Sequence, residues 1–306
     1  MFVYDTVFKT DAEIRAFVEN AEMHYRNQVI QIANAVVDIP NLRFLTLSGP
    51  TCSGKTTTSY ILEHEFEKRG ISTTIISIDD FYRNRHDISN TEDPDYESIA
   101  AIDLPYFQEC VENILNGRSA MLPRYDFVTG CRSQYIEYVP GEHEVLIFEG
   151  IQAIYPEIVE TLPKEVTRSI YISVDDDVTA YGTFFEKREI RFFRRLVRDY
   201  FFRSATVSRT IELWHDVVEN ENKNILPYEK NADYIINSFL AYELGVIRSY
   251  ILDKISYDMC MEEEREIYEI LTKKFEKIRH IPERFVPVDS VFREFIGKRK
   301  DEEEQK

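Results

Sequence analysis

Apolar residues recur along this chain with two different spacings, and the change from one to the other marks out its elements. Between residues 10 and 38, Ile14, Phe17, Val18, Ala21, Tyr25, Val29, Ile30 and Ala33 return at steps of three and four, which places them on one stripe of a helix. Thr10 and Glu13 have the spacing of a capping box and Pro40 closes the segment, so a helix with one packing face is expected here. From Leu42 onward short, nearly continuous apolar runs take over: FLTL at 44–47, TTIISI at 73–78, EVLIF at 144–148, SIYISV at 169–174 and DYIIN at 233–237. Such runs read as strands buried on both faces. Between them lie helical lengths, one ending at Gly70 and another capped by Asp103, with Pro105 in its first turn and Gly117 past its end. The alternation predicts an α/β fold, a doubly wound, mostly parallel sheet of five strands with helices on both faces.

Residues 83–100 are polar and proline-punctuated and are expected to be a loop. Residues 255–306 are expected to be helical to about His280, then to run through Pro282 and Pro287 into a disordered, charged end, KRKDEEEQK. The chain divides into a helical lead-in (1–40), a core (41–254) and a C-terminal extension (255–306), expected to pack as one domain.

Composition narrows the partners. With 55 acidic against 37 basic residues the net charge is −18, which argues against a nucleic-acid or anionic-membrane binder. An anionic ligand must therefore meet a local basic cluster. Cys52, Cys110, Cys131 and Cys260 form no C-x-x-C pair, so neither a disulfide framework nor a zinc site is indicated. Cys52 reads as a small residue filling a gap. The N-terminus lacks a signal-peptide pattern, and no apolar run is long enough to span a bilayer, so a cytoplasmic protein is expected.

Chemistry enters at Gly49-Pro50-Thr51-Cys52-Ser53-Gly54-Lys55-Thr56, an uninterrupted G-x-x-x-x-G-K-[ST] between a strand and a helix. Gly49 and Gly54 permit positive φ and close approach to oxygens. The loop turns free N–H groups and the positive end of a helix dipole toward an anion. Lys55 adds a mobile charge for terminal phosphates, and the Thr56 hydroxyl can bind Mg²⁺. The stretch from Gly49 to Thr57 is thus expected to cradle nucleotide phosphates.

Asp79 and Glu149 end the second and third strands, where ligands of parallel sheets gather. With Thr56 they form a set suited to metal binding and phosphoryl transfer, which needs in-line positioning, charge neutralisation and a carboxylate for the acceptor's proton. Asp79 suits the last task, and Glu149 is placed to hold Mg²⁺ directly or through water. The alternative is that Asp79 and Asp80 merely cap the next segment. On the stretch KREIRFFRRLVRDYFFR, at ~100° per residue, Arg188, Arg191, Arg195 and Arg198 fall within roughly 80° of one another, opposite Ile190, Phe193, Leu196, Val197 and Tyr200. One face is expected to pack while the other presents guanidinium groups as a lid; a solvated charge run is the other reading. The segment from Pro123 to Arg132 mixes turn residues with aromatics, which suits a pocket for a base or sugar and equally an ordinary hairpin.

The pieces GPTCSGKTT, SIDDFYR, YDFVTGCR, VLIFEGIQAIY, RRLVRD and LPYEKNADYIIN, in this order from about residue 42 to 240, resemble the uridine kinase and phosphoribulokinase group of P-loop kinases, and within it the uridine/cytidine kinases. VPVDSVFREFIG resembles the end of a bacterial uridine-kinase-like branch. The resemblance implies a P-loop NTPase fold with an arginine-rich helical lid and a small nucleoside-binding insertion. It implies an ATP- and Mg²⁺-dependent transfer to the 5′-hydroxyl of a nucleoside such as uridine or cytidine. Carried over, it has Lys55 and Thr56 hold ATP phosphates and Mg²⁺, Asp79 activate the ribose hydroxyl, and Glu149 help hold the metal. Tyr82 lies against the nucleoside and Tyr125 near the base; Arg195 contacts the nucleoside, while Arg198 and Arg203 reach the phosphates. Asp95, within 92–95, is expected to grip the ribose hydroxyls, and by analogy a homo-oligomer is expected. The chain departs from the pattern at Gly130, where the family carries a histidine that helps read the pyrimidine. The acceptor therefore stays open between a nucleoside and another small hydroxyl compound, a sugar phosphate or pantothenate-like molecule; from a different class, a non-catalytic nucleotide-binding regulator is the alternative.

Overall fold

The computed structural model describes residues 2–88, 96–255, 262 and 265–298. Five strands form the central sheet: β1 (Phe44–Ser48), β2 (Ser72–Ser77), β3 (Glu144–Glu149), β4 (Thr167–Ser173) and β5 (Tyr234–Asn237). They lie in the order β5-β4-β1-β3-β2, every pair parallel. The apolar runs are continuous because alternate residues serve opposite layers. Leu45, Leu47, Val145, Ile147, Ile170 and Ile172 face one buried cluster. Phe44, Leu146, Phe148 and Ile76 face the other.

Helices cover both faces. Helix α1 (Asp11–Val37) and helix α2 (Lys55–Glu67) pack on the first cluster through Val18, Tyr25, Val29, Leu62 and Phe66. Helix α3 (Leu104–Leu115) packs on the second through Phe107, Val111 and Ile114. Its start is capped as its sequence predicts, Asp103 Oδ1 accepting from the Tyr106 N–H at 3.3 Å. The Thr10 hydroxyl caps α1 by accepting from the Glu13 N–H at 3.3 Å, but the Glu13 carboxylate accepts from Lys9 rather than Thr10. Gln28 of α1 bonds both the N–H and the carbonyl of Asn237, the last residue of β5, at the sheet's edge.

Several details differ from the sequence-based expectation. The expected loop at 83–100 contains a helical turn at Arg85–Ile88 and another at Ile99–Ala101. Phe2–Tyr4, Val178–Ala180 and Thr183–Phe185 pair as a small second sheet, made of strands too short to show a period. The C-terminal helix runs Arg265–Phe275 and stops short of His280. Ile281, Phe285, Val291, Phe292, Phe295 and Ile296 then join the same buried cluster as α1 and α2. Residues 299–306, most of the expected disordered end, lie outside the described residues, as does Cys260.

Candidate active site

Residues 49–54 join β1 to α2, and their path depends on close contacts. A Cβ on Gly49 would stand 2.0 Å from the carbonyl oxygen of Ile172, so only glycine lets the loop cross the end of β4. Cys52 and Gly54 have φ of 57° and 95°, turning successive N–H groups toward one side. Lys55 folds back over the loop, its Nζ donating to the carbonyls of Gly49 at 2.9 Å and Pro50 at 3.2 Å. Ser53 is buried and its Oγ has no partner among the described residues.

Helix α4 (Lys187–Phe202) braces this loop from behind. Arg191 Nη1 donates to the Thr51 carbonyl and Arg194 Nη1 to the Cys52 carbonyl, both at 3.1 Å. A peptide unit is planar and trans, so holding the Thr51 carbonyl on one side aims the Cys52 N–H to the other, while the next N–H, that of Ser53, donates to the Pro50 carbonyl at 3.3 Å within the loop. Glu221 pairs with Arg191 through bonds of 2.6 and 2.7 Å, and Glu243 with Arg194 through bonds of 2.6 and 3.0 Å. All four side chains are buried, where a charge persists only beside its partner. This corrects the expected solvent-facing arginine face: Arg191 is a buried brace, because Glu221 and the loop close over it. Arg188 also turns to Glu221, at 3.4 Å, and to Asn222, whereas three arginines further along converge on Asp199. Arg195 Nε donates to it at 3.1 Å and Arg198 Nε at 2.8 Å, while exposed Arg203 stands at 3.9 Å.

In front of the loop the Thr56 hydroxyl donates to Glu149 Oε1 at 3.0 Å. Thr56, Asp79 and Glu149 line one cavity of about 540 Å³, with Ser77, Tyr60 and Arg124 around them. Burial pushes the Glu149 carboxyl up to about 7; the charge of Lys55 and the Thr56 bond oppose the rise, and Asp79 and Glu294 add to it. Burial likewise raises Asp79, against the pull of Lys55. Asp80 does something different: it accepts from Arg124 Nη1 at 2.6 Å and from the Tyr125 N–H at 3.0 Å. No cluster of three or more His, Cys, Asp or Glu that could hold a metal occurs among the described residues. Two carboxylates and a hydroxyl are nevertheless the hard oxygen donors that Mg²⁺ takes when phosphate oxygens and water complete its shell.

The hairpin of Ala120–Asp126 and Cys131–Tyr138 flanks this cavity. Tyr82, Tyr96, Tyr125 and Phe127 form a four-ring cluster with centroids 5.1 to 6.2 Å apart. Buried Gln152 donates to the Tyr82 hydroxyl at 3.0 Å and the Tyr96 carbonyl at 2.7 Å, and its Oε1 has no partner among the described residues. Gly130 lies under the Arg85 side chain, where a Cβ would stand 2.8 Å from Arg85 Nε. Arg85 itself donates to the Tyr96 hydroxyl and the Phe127 carbonyl. Arg195 lines a second cavity, of about 570 Å³, with Tyr96, Glu97, Arg209 and Asn220. Asp95 lies outside the described residues.

The described residues thus bring together Thr56, Asp79 and Glu149 in the first cavity, and add Arg194, Gln152 and Glu294, which lie inside quoted motifs but were given no role, and Glu221 and Glu243, which lie in none. A loop of the P-loop sequence on a parallel sheet, faced by two strand-end carboxylates, defines the P-loop NTPase fold. The sequence model of the phosphoribulokinase / uridine kinase family matches residues 44–243, and the chain belongs to that family. Accordingly it is a phosphotransferase with a hydroxyl group as acceptor. It is 28% identical over 194 residues to a uridine kinase of Deinococcus deserti, covering 62% of this chain and 84% of that one. To a uridine kinase of Halalkalibacterium halodurans it is 29% identical, covering 62% and 83%. A solved structure of a possible uridine kinase from Bacillus stearothermophilus superposes with a TM-score of 0.50 at 15% identity, covering 70% of this chain and all of that one; it supports the fold. No helix among the described residues is long and apolar enough to cross a membrane.

Proposed function

We propose that this protein transfers the γ-phosphate of ATP to the 5′-hydroxyl of a nucleoside, uridine or cytidine. The observation that carries the reading is the first cavity, where the P-loop threonine and both strand-end acids meet beside an aromatic cluster. Asp80 is consumed in holding the hairpin, which leaves Asp79 as the carboxylate for chemistry. Its raised pKa makes it a better proton acceptor, so Asp79 takes the proton of the attacking hydroxyl. Backbone N–H groups between Thr51 and Thr57, together with Lys55, hold the donor's phosphates; Lys55 leaves the Gly49 and Pro50 carbonyls to do so. Thr56 and Glu149, with Asp79 beside them, would hold Mg²⁺, which supplies neutralisation of phosphate charge. Arg198 and Arg203 stabilise the transferring group by turning from Asp199. Tyr82, Tyr125 and Arg195 contact the nucleoside.

A second acceptor class rests on one observation, the Arg85 guanidinium above Gly130 in the aromatic cluster. A group that only donates hydrogen bonds favours an acceptor rich in oxygen or negative charge, such as a sugar phosphate. A coupled assay of ADP release over a panel of nucleosides and sugar phosphates tests both. Turnover with uridine or cytidine is expected; activity confined to sugar phosphates would replace the nucleoside reading, and a flat panel would remove both.

A further inference from the structure

Helix α2 begins with the nucleotide loop, and its early N–H groups have no partner within the helix. One of them is already taken. Glu294 Oε2 accepts from the Thr57 N–H at 3.3 Å and from the Thr57 hydroxyl at 3.1 Å. Thr57 follows the G-K-T of the motif, so these are donors that the phosphate cradle offers to its ligand. A carboxylate on both of them stands where a phosphate oxygen would stand, and carries the same sign of charge.

Glu294 reaches this place from a segment well beyond the matched family region of 44–243, and that segment is firmly held. Val291 is fully buried, with its Cγ2 2.5 Å from where a Cβ on Gly54 would stand. Arg293 donates to the Glu283 carboxylate at 3.1 Å, the Val286 carbonyl at 2.8 Å and the Pro287 carbonyl at 3.2 Å. Phe295 is buried under the Arg194 guanidinium, 4.9 Å from its ring centroid, and Arg194 is the brace of the Cys52 carbonyl. The backbone around Glu294 is therefore fixed against the loop, while its side chain is only half-buried.

We propose that Glu294 is a determinant of donor binding, a built-in occupant of the phosphate site that the donor nucleotide displaces from Thr57. The assignment rests on the reading of residues 49–57 as the nucleotide site. The free protein is then divided between a form with Glu294 on Thr57 and a form with Thr57 open, and apparent affinity falls by the open fraction. By reciprocity a bound nucleotide turns the Glu294 side chain outward by the same coupling. Donor affinity is thus set by a residue outside the family match.

Calorimetric titration of the full chain with ADP tests this, using wild type, Glu294→Gln and Glu294→Ala, each with and without Lys55→Ala. Both Glu294 variants are expected to bind ADP about 10-fold tighter than wild type, the scale of one charge-assisted contact removed from competition. A structural prop would give the opposite sign, because loosening the loop weakens binding. Equal or weaker ADP binding in both variants, with thermal unfolding showing them folded, overturns the proposal. Lys55→Ala separates this from the underlying reading: binding that ignores Lys55 in every background means residues 49–57 are not the nucleotide site, and the proposal falls with it. Tighter binding in the glutamine and alanine variants that remains dependent on Lys55 upholds both.

Discussion

Asp79 and Asp80 are adjacent and chemically alike, yet the fold puts them to different uses. Asp80 holds the hairpin through Arg124 and the Tyr125 N–H, while Asp79 faces the cavity it shares with Thr56 and Glu149. The sequence left open whether either merely capped the next segment, since a D-D pair after a strand suits both roles. Asp79→Asn is expected to lower turnover by at least ~100-fold, the scale of a lost general base, with ATP affinity nearly unchanged. Near-wild-type turnover in a steady-state assay would take Asp79 out of the mechanism. The same scale shows how the phosphate loop was legible: G-x-x-x-x-G-K-T names its own geometry, because Gly49 is required by its contact with the Ile172 carbonyl, not by the positive φ its type permits, and Gly54 by its φ of 95°.

At the scale of the element, helix α4 shows where periodicity misleads. A helical wheel places Arg191 with Arg195 and Arg198 on one face, and a charged face usually meets solvent. Here Arg191 is buried against Glu221 and the Thr51 carbonyl, and Arg194 against Glu243 and the Cys52 carbonyl. The partner carboxylates sit 30 and 49 residues away, a separation no local pattern reports. Arg203 remains exposed, with only a 3.9 Å approach to Asp199, so its removal should change stability by less than ~0.5 kcal/mol. If it closes on the donor, Arg203→Ala should instead reduce kcat or raise the KM for ATP. A variant that only unfolds more easily, with unchanged kinetics, would make Arg203 a structural residue.

At the scale of the whole molecule the site is assembled from distant parts under a common field. Glu149 sits at the end of a fully buried strand, and burial holds its carboxyl at about 7, above its ordinary 4.5. The folded chain therefore binds that proton more tightly than the unfolded chain does. In the metal-free protein the resulting stability is complete below about pH 4.5 and is lost as pH rises through about 7. Glu149→Gln should remove this share, so the wild type should lose stability relative to the variant across that window in denaturant titrations. Parallel pH profiles for the two proteins would contradict the raised value.

The five central strands, the phosphate loop and the two strand-end acids were decided by local sequence alone. Each depends on a short-range rule: alternate burial along a strand, glycine at a positive φ, a carboxylate at a strand's carboxyl end. Only the tertiary structure decided which aspartate faces the cavity, which arginines brace the loop and which converge on Asp199. It alone seated Val291 and Glu294 against Gly54 and Thr57. Those outcomes depend on which distant surface arrives to desolvate a group or to carry a partner charge. A chain records that arrival only in its folded form, because the strength of a charge or a hydrogen bond is set by what surrounds it.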